Sequence, residues 1–192
     1  MNFILIVLYN GLIYPILFLT ALVISIFDKK IRKSLIGKFQ TTKHIKSYFN
    51  KIDSKPIIYW FHASSLGEFY QVKPILQDIK NLNHKVKCVV SFSSPSGYEN
   101  AICEEMDFKF YMPFDFPWTI SRLLKIINPD KIIFASYDIW PNLIYKSKAN
   151  GIKTILYSVR IKENSIKKKF IFRSVYRFFY GTLNFLFSVS AE

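Results

Sequence analysis

Tyr59-Trp60-Phe61-His62-Ala63-Ser64-Ser65-Leu66-Gly67-Glu68 decides how the chain is read. The apolar run Ile57 to Phe61 is short enough for a buried strand. Glu68 to Lys80 follows, with Phe69, Val72, Ile75, Leu76 and Ile79 at helical offsets, so the stretch reads strand, small-residue turn, helix. In an open α/β sheet, ligands bind in the turns that follow the strands' C-terminal ends. Ser64, Ser65 and Gly67 keep that turn compact and leave backbone N–H groups to face a ligand. Glu68 falls in the helix's first turn, where the dipole favours a carboxylate. A plainer reading stands beside this one: Ser64 or Ser65 caps the helix, and Glu68 is ordinary first-turn charge.

Downstream the same alternation repeats. Val86–Phe92 predicts a second strand and Ser96–Glu105 a short helix. Phe108–Met112 predicts a third strand, and Pro117–Ile127 a helix with Pro at its first turn. Lys131–Ala135 is a fourth strand, Ile139–Ala149 a helix closed by Asn150-Gly151, and Ile152–Tyr157 a fifth strand. Ile161 to about Tyr180 reads as helix and Leu183–Val189 as a sixth strand. Near-continuous apolar strands alternating with helices predict an α/β, Rossmann-like parallel sheet covered on both faces, over residues 55–192.

Upstream, Phe3 to Phe27 holds no charged residue across 25 positions. As a helix that is about 37 Å, enough to cross a hydrocarbon core of about 30 Å. A cleaved signal peptide would want basic residues first and a small-x-small site last. Here the run ends in Asp28-Lys29-Lys30-Ile31-Arg32-Lys33, so residues 1–28 predict one uncleaved transmembrane anchor. Residues 29–54 read as a basic juxtamembrane linker with Lys29, Lys30, Arg32, Lys33, Lys38, Lys43 and Lys46. Positive flanks stay cytoplasmic, which predicts a domain facing the cytoplasm beside anionic membrane lipids.

The whole chain carries 27 Lys+Arg against 13 Asp+Glu, a formal charge of +14. Nucleic acid is the usual partner of such a chain, but no zinc-finger spacing, RNP-like aromatic motif or helix-turn-helix is present, so none is expected. No Gly-x-Gly-x-x-Gly, P-loop or Gly-x-Ser-x-Gly elbow occurs. Three scattered histidines form no metal set, and His62 reads as structural. Cys88 and Cys103 lack ligand spacing and read as buried free thiols.

The chemistry-bearing residues collect after the strands. They are Ser64, Ser65, Gly67 and Glu68; Ser93-Ser94-Pro95-Ser96-Gly97; Pro113-Phe114-Asp115; Ser136-Tyr137-Asp138-Ile139-Trp140-Pro141-Asn142; and Ser158-Val159-Arg160. In a parallel sheet these loops share one rim and can converge on one ligand.

Together, His62 to Glu68, Pro95-Ser96-Gly97, Pro113-Phe114-Asp115, Trp140-Pro141-Asn142-Leu143, and Arg160 with Ser165 resemble the N-terminal half of Kdo transferases, membrane-associated glycosyltransferases of lipopolysaccharide synthesis. The resemblance implies a GT-B architecture with this chain as the acceptor domain. It implies transfer of Kdo from CMP-Kdo to the lipid A precursor at the inner membrane, inverting and without metal or other cofactor. It further implies Glu68 as general base and Asp138 as a second acid. Ser64, Ser65, Gly67, Ser94, Ser96, Gly97, Trp140, Asn142 and Arg160 are the substrate-binding candidates. Ser136-Tyr137-Asp138 stands where the family carries Glu-x-Glu, and Ser158-Val159-Arg160 where it carries Asn-Ala-Arg. The family's donor domain, which would hold CMP-Kdo, is not expected within these 192 residues. The alternative is a non-catalytic, membrane-anchored lipid-binding or scaffold module derived from the enzyme. From Ile161 to Tyr180, Lys167, Lys168, Lys169, Arg173 and Arg177 among aromatics suit a helix lying on lipid headgroups.

Overall fold

Side chains along β1 (Ile58–Ala63) alternate between two covered faces, so that nearly every position is buried. Trp60 points to one face of a sheet, Phe61 and Ala63 to the other, and none of the three is solvent-accessible. The computed structural model describes residues 2–52, 55–135, 140–159 and 180–188. The other strands are β2 (Lys87–Phe92), β3 (Phe108–Tyr111), β4 (Lys131–Ala135), β5 (Lys153–Val159) and β6 (Phe185–Ser188). They form one parallel six-stranded sheet in the order β3-β2-β1-β4-β5-β6. The order reverses beside β1: the chain runs outward through β2 and β3, then returns to place β4 on the other side. That reversal opens a crevice at the C-terminal ends of β1 and β4.

The N-terminal run is helical throughout. It comprises α1 (Asn2–Leu8), a π-helical turn (Tyr9–Ile13) and α2 (Tyr14–Phe27). Ile4–Phe27 has a mean hydropathy of 2.1 and is long and apolar enough to cross a membrane. Next come α3 (Lys29–Phe49), α4 (Leu66–Leu82), α5 (Pro95–Asn100), α6 (Pro117–Ile127) and α7 (Pro141–Ala149). On one face of the sheet, α4 buries Phe69, Val72 and Leu76 against Phe61, Val90 and Phe92. On the other, α6 and α7 bury Ile120, Leu123, Ile127, Leu143 and Ile144 against Trp60, Phe110 and Phe134.

The strand and helix order matches the sequence reading, with shifted ends. The short helix after β2 stops at Asn100 instead of Glu105. Ala101 turns to an extended conformation (φ −70°, ψ 117°), and its carbonyl accepts from Lys109 Nζ at 3.0 Å. The helix before β5 starts at Pro141, whose ring suits the first helical position. The helix expected over Ile161 to Tyr180 lies outside the described residues, apart from its last residue.

The largest difference concerns the stretch read as a basic linker. Asp28 caps it, accepting from the N–H groups of Lys30 at 2.7 Å and Ile31 at 3.0 Å, and 21 helical residues follow as α3. Ile45 is inaccessible and belongs to the core shared with α6 and α7. Burying one such side chain contributes about 1.5–3 kcal/mol. Thr41 Oγ1 donates to the Tyr111 carbonyl at 2.8 Å, Lys38 Nζ to Met112 O at 3.1 Å and Ser34 Oγ to Ser93 O at 2.9 Å. Gly37 allows this approach: a Cβ there would lie 2.2 Å from the Tyr111 ring. Charge hid the pattern: Lys29, Lys30, Lys33, Lys43 and Lys46 are exposed on a helix whose buried row is Leu35, Thr41 and Ile45.

Both cysteines are free thiols. Cys88 is buried, which pushes its pKa up to about 11; Cys103 is half-buried and also raised, chiefly by burial.

Candidate functional site

The crevice is built first by the two helices that begin beside it. Ser65, extended at φ −138° and ψ 171°, ends the β1 turn and caps α4, its Oγ accepting from Glu68 N at 3.4 Å. Glu68 reaches back so that Oε2 accepts from Ser64 N at 2.6 Å. This is a capping box shifted by one residue: the carboxylate accepts from the N–H before the cap and so folds over the turn. The capping role and the placement of an acid at the crevice are therefore one geometry. Gly67 has open space where a side chain would project, with only Ser65 Oγ near, at 3.9 Å.

The second helix, α5, abuts the first. Ser94 caps it, its Oγ accepting from Gly97 N at 3.3 Å and lying 3.1 Å from Ser96 Oγ. Ser94 N donates to Ser64 O at 3.0 Å and ties the two loops together. Gly97 lets the helices meet: a Cβ would come within 2.6 Å of the Phe92 ring and 3.2 Å of the Ser65 backbone. Ser64, Ser65, Gly67, Glu68, Ser94, Ser96 and Gly97 thus form one patch.

Beneath the patch lies a buried polar chain. Trp140 Nε1 donates to His62 Nε2 at 2.9 Å. An indole N–H can only donate, so Nε2 carries no proton and Nδ1–H donates to Ser91 Oγ at 2.8 Å. Ser91 Oγ also accepts from Trp60 Nε1 at 2.8 Å and donates to the Phe61 carbonyl at 3.3 Å. This assigns His62 the neutral Nδ1–H tautomer and a structural role. Trp140 rests edge-on against His62, with Lys38 Nζ 5.0 Å over its ring.

A second polar centre sits after β3. Asp115 is fully buried. Its carboxylate accepts from the N–H groups of Asn142 at 3.0 Å and Leu143 at 3.1 Å, so a residue from another loop caps α7. Tyr9 OH donates to the same carboxylate at 3.0 Å, and Asp115 N donates to Tyr14 OH at 2.5 Å. Asn142 Nδ2 donates to the Asp115 carbonyl and, at 2.7 Å, to Asn10 Oδ1; Asn10 Nδ2 donates back to Asn142 Oδ1 at 3.0 Å. Burial pushes the Asp115 pKa up to about 7, against the bonds from Asn142, Tyr9 and Leu143. Asn142, a substrate-binding candidate in the sequence, is buried in this centre and spends its amide on the chain itself. Beside it a cleft of about 450 Å³ is lined by Gly11, Pro117, Asn142, Tyr145 and Lys146 among others; Glu68 does not line it.

One residue escaped the sequence reading. The Tyr157 hydroxyl, on β5, is buried without a hydrogen-bond partner among the described residues, and its pKa is raised by burial and by the charge of Glu68. Its only sequence signal was a place just before Ser158-Val159-Arg160. Asp138 and Arg160 lie outside the described residues, as does the basic stripe of Lys167 to Arg177. Among the described residues no group of three or more His, Cys, Asp and Glu could hold a metal ion.

A structure described as a UDP-N-acetylglucosamine 2-epimerase from Listeria monocytogenes superposes with a TM-score of 0.51 at 8% identity, covering 70% of this chain and 40% of that one. At that identity the likeness shows the fold alone, the Rossmann-like half of a GT-B architecture. The 3-deoxy-D-manno-octulosonic acid transferase of Chlamydophila psittaci is 27% identical over 137 residues, 69% of this chain and 32% of the relative. A bifunctional glycosyltransferase/methyltransferase of Fusobacterium nucleatum is 28% identical over 170 residues, 79% of this chain and 26% of its own length. The transferase of Aquifex aeolicus is 28% identical over 114 residues, 58% of this chain and 31% of the relative. The chain thus spans about a quarter to two fifths of the length of the curated relatives it matches. The family model for 3-deoxy-D-manno-octulosonic-acid transferase matches residues 36–192, taking in most of α3, the sheet and both polar centres. The chain belongs to the Kdo transferase family.

Proposed function

We propose that this chain is the acceptor-binding part of a Kdo transferase, an inverting, metal-independent glycosyltransferase of lipopolysaccharide core synthesis. A hydroxyl of the lipid A precursor attacks the anomeric carbon of Kdo, and CMP leaves with the electron pair of the broken bond. Glu68 takes the hydroxyl proton. CMP-Kdo is held by the donor domain that the longer relatives provide. Asp138 supplies a second acid, and Ser94, Ser96, Trp140 and Arg160 help to hold the substrates. The domain works at the cytoplasmic face of the inner membrane, among anionic lipids.

The observation that carries the reading is the Glu68 carboxylate, fixed by the Ser64 N–H at the mouth of the sheet's reversal. A general base must first be in position and only then have a suitable pKa. Family membership supplies the reaction class.

The test is Glu68→Gln, with the chain joined to a donor-binding domain. The Gln amide oxygen can still accept from Ser64 N, so the cap survives while the base is lost. Transfer should fall by about 10²–10⁴-fold with acceptor affinity almost unchanged. Near-normal turnover would remove Glu68 from the role.

A further inference from the structure

The apolar N-terminal helix is folded back onto the domain. Its elbow is Asp28, the one non-helical residue between α2 and α3 (φ −108°, ψ 109°). Arg32 clasps the elbow, its Nε donating to Ser25 O at 2.8 Å and its Nη2 to Ile26 O at 2.5 Å. Phe18 of α2 then meets Phe39 of α3 at 6.5 Å between ring centroids. Counting from the elbow, the two lie at similar distances along their helices, as in a hairpin.

One face of the returning helix is half-buried against the domain and α3. Ile6 is 6% exposed. Tyr9, Asn10 and Tyr14 hydrogen-bond to Asp115 and Asn142, and Phe18 packs on Phe114 at 5.0 Å and Phe116 at 5.4 Å. The opposite face is apolar and open. Ile4, Leu8, Leu12, Ile16, Leu19 and Val23, three or four residues apart, are 48–61% exposed. The helix is therefore two-faced in a way its composition conceals: Tyr9, Asn10 and Tyr14 are matched by the domain instead of by water.

This docking and a bilayer crossing exclude one another. Ile6 to Phe18 covers about 18 Å of helix rise. In a helix crossing a hydrocarbon core of about 30 Å, those residues would lie in lipid. The domain rim would have to follow them there, or the bonds at Tyr9, Asn10 and Tyr14 would have to break with no water to replace them.

We infer that the helix lies in the plane of one leaflet, clamped to the domain along its inner face, with its outer face in the acyl chains. Two surroundings fit a lipid occupant. Lys29, Lys30 and Arg32 at the elbow suit anionic headgroups. Trp118, 67% exposed and stacked on Phe116 at 4.8 Å, suits the headgroup boundary. The rim that carries the candidate site then faces the membrane directly, and both ends of the helix stay on the same side.

The experiment reads sidedness, which does not depend on the transfer reaction. The full chain carrying Asn2→Cys or Lys30→Cys is placed in sealed inside-out inner-membrane vesicles and treated with an impermeant maleimide, with labelled sites read by mass spectrometry. Both positions should label to the same extent without detergent. Labelling of position 2 only after detergent would establish a crossing helix and overturn the inference. A Phe18→Cys/Phe114→Cys pair should close an intrachain disulfide on mild oxidation in those membranes; failure to close would show the clamp open and overturn it as well. Leu12→Cys alone should give no disulfide-linked dimer. Efficient dimer formation would replace the leaflet with a second copy of the chain as the occupant of the outer face.

Discussion

Asp107 and Asp115 flank the same short strand, β3, and are held by different chemistry. Asp107, at the strand's entry, is met by Lys80 Nζ at 2.6 Å, Lys87 Nζ at 2.8 Å and the Cys88 N–H at 2.7 Å. Asp115, past the strand's exit, is met by a tyrosine hydroxyl and the first N–H groups of a helix. The lysines keep a path to water, with 17% and 38% of their side-chain surface exposed. Two of the donors around Asp115 are backbone N–H groups of the buried Asn142 and Leu143 and cannot turn away. One end of the strand carries an exchangeable ion cluster; the other carries a fixed joint between three segments distant in sequence.

The comparison is broken most severely by truncating each acid. Asp115→Ala leaves the N–H groups of Asn142 and Leu143 and the Tyr9 hydroxyl without their acceptor. It should cost about 3 kcal/mol in denaturant unfolding, since a buried unsatisfied group costs about 1–3 kcal/mol and such losses are not additive. Asp107→Ala should cost about 1–2 kcal/mol, because its lysines can re-solvate and one buried N–H, that of Cys88, loses its acceptor. Equal losses for the two would mean that water enters the Asp115 centre freely.

Acidity should separate them next, with opposite signs. Burial works against the charge of Asp107, yet its bonds to Lys80 and Lys87 hold its pKa below the ordinary value. Its contribution is present above about pH 4 and is lost as pH falls through the folded value. Asp115 is raised by burial to about 7, so the folded chain holds its proton more tightly than the unfolded chain. Its contribution is present below about pH 4 and is lost as pH rises toward 7. Unfolding followed from pH 3 to pH 8 should show both slopes, the alkaline one flattened in Asp115→Asn and the acid one in Asp107→Asn. An alkaline slope unchanged in Asp115→Asn would assign it to another group.

Tyr9→Phe should be the mildest change, about 0.5–1.5 kcal/mol for one lost hydrogen bond. It sharpens the contrast, because the Tyr9 bond holds the Asp115 pKa down. Removing it should move the alkaline slope to higher pH. A shift to lower pH would show that Tyr9 does not donate to the carboxylate.

The sheet and the turn at Ser64 to Glu68 were legible because both are local. Strand periodicity, Pro at a first helical turn and a Ser-x-x-Glu cap all act within a few residues. What the sequence concealed depends on distant partners. Asp115 reads as an acid in a loop, and only the fold brings the N–H groups of Asn142 and Leu143 to it. His62 reads as a histidine after a strand, and its tautomer is set by Trp140, 78 residues away. The α3 helix reads as a linker because charge dominates its composition, while its buried side chains are only Leu35, Thr41 and Ile45. The apolar run reads as a span from its length and composition, and no local feature announces that Tyr9 and Tyr14 have partners in the domain.

The clamp at Tyr9 also sets an order of events during synthesis. Its acceptor, Asp115, lies 106 residues further along the chain. At about 5–20 residues per second, Tyr9 is made roughly 5–20 s before the carboxylate that receives its proton. For that interval the apolar helix exists with no face to dock on and must be sheltered elsewhere. Its arrival on the rim is thus a late step, taken after β3 and α7 are in place, although the helix itself is made before either of them.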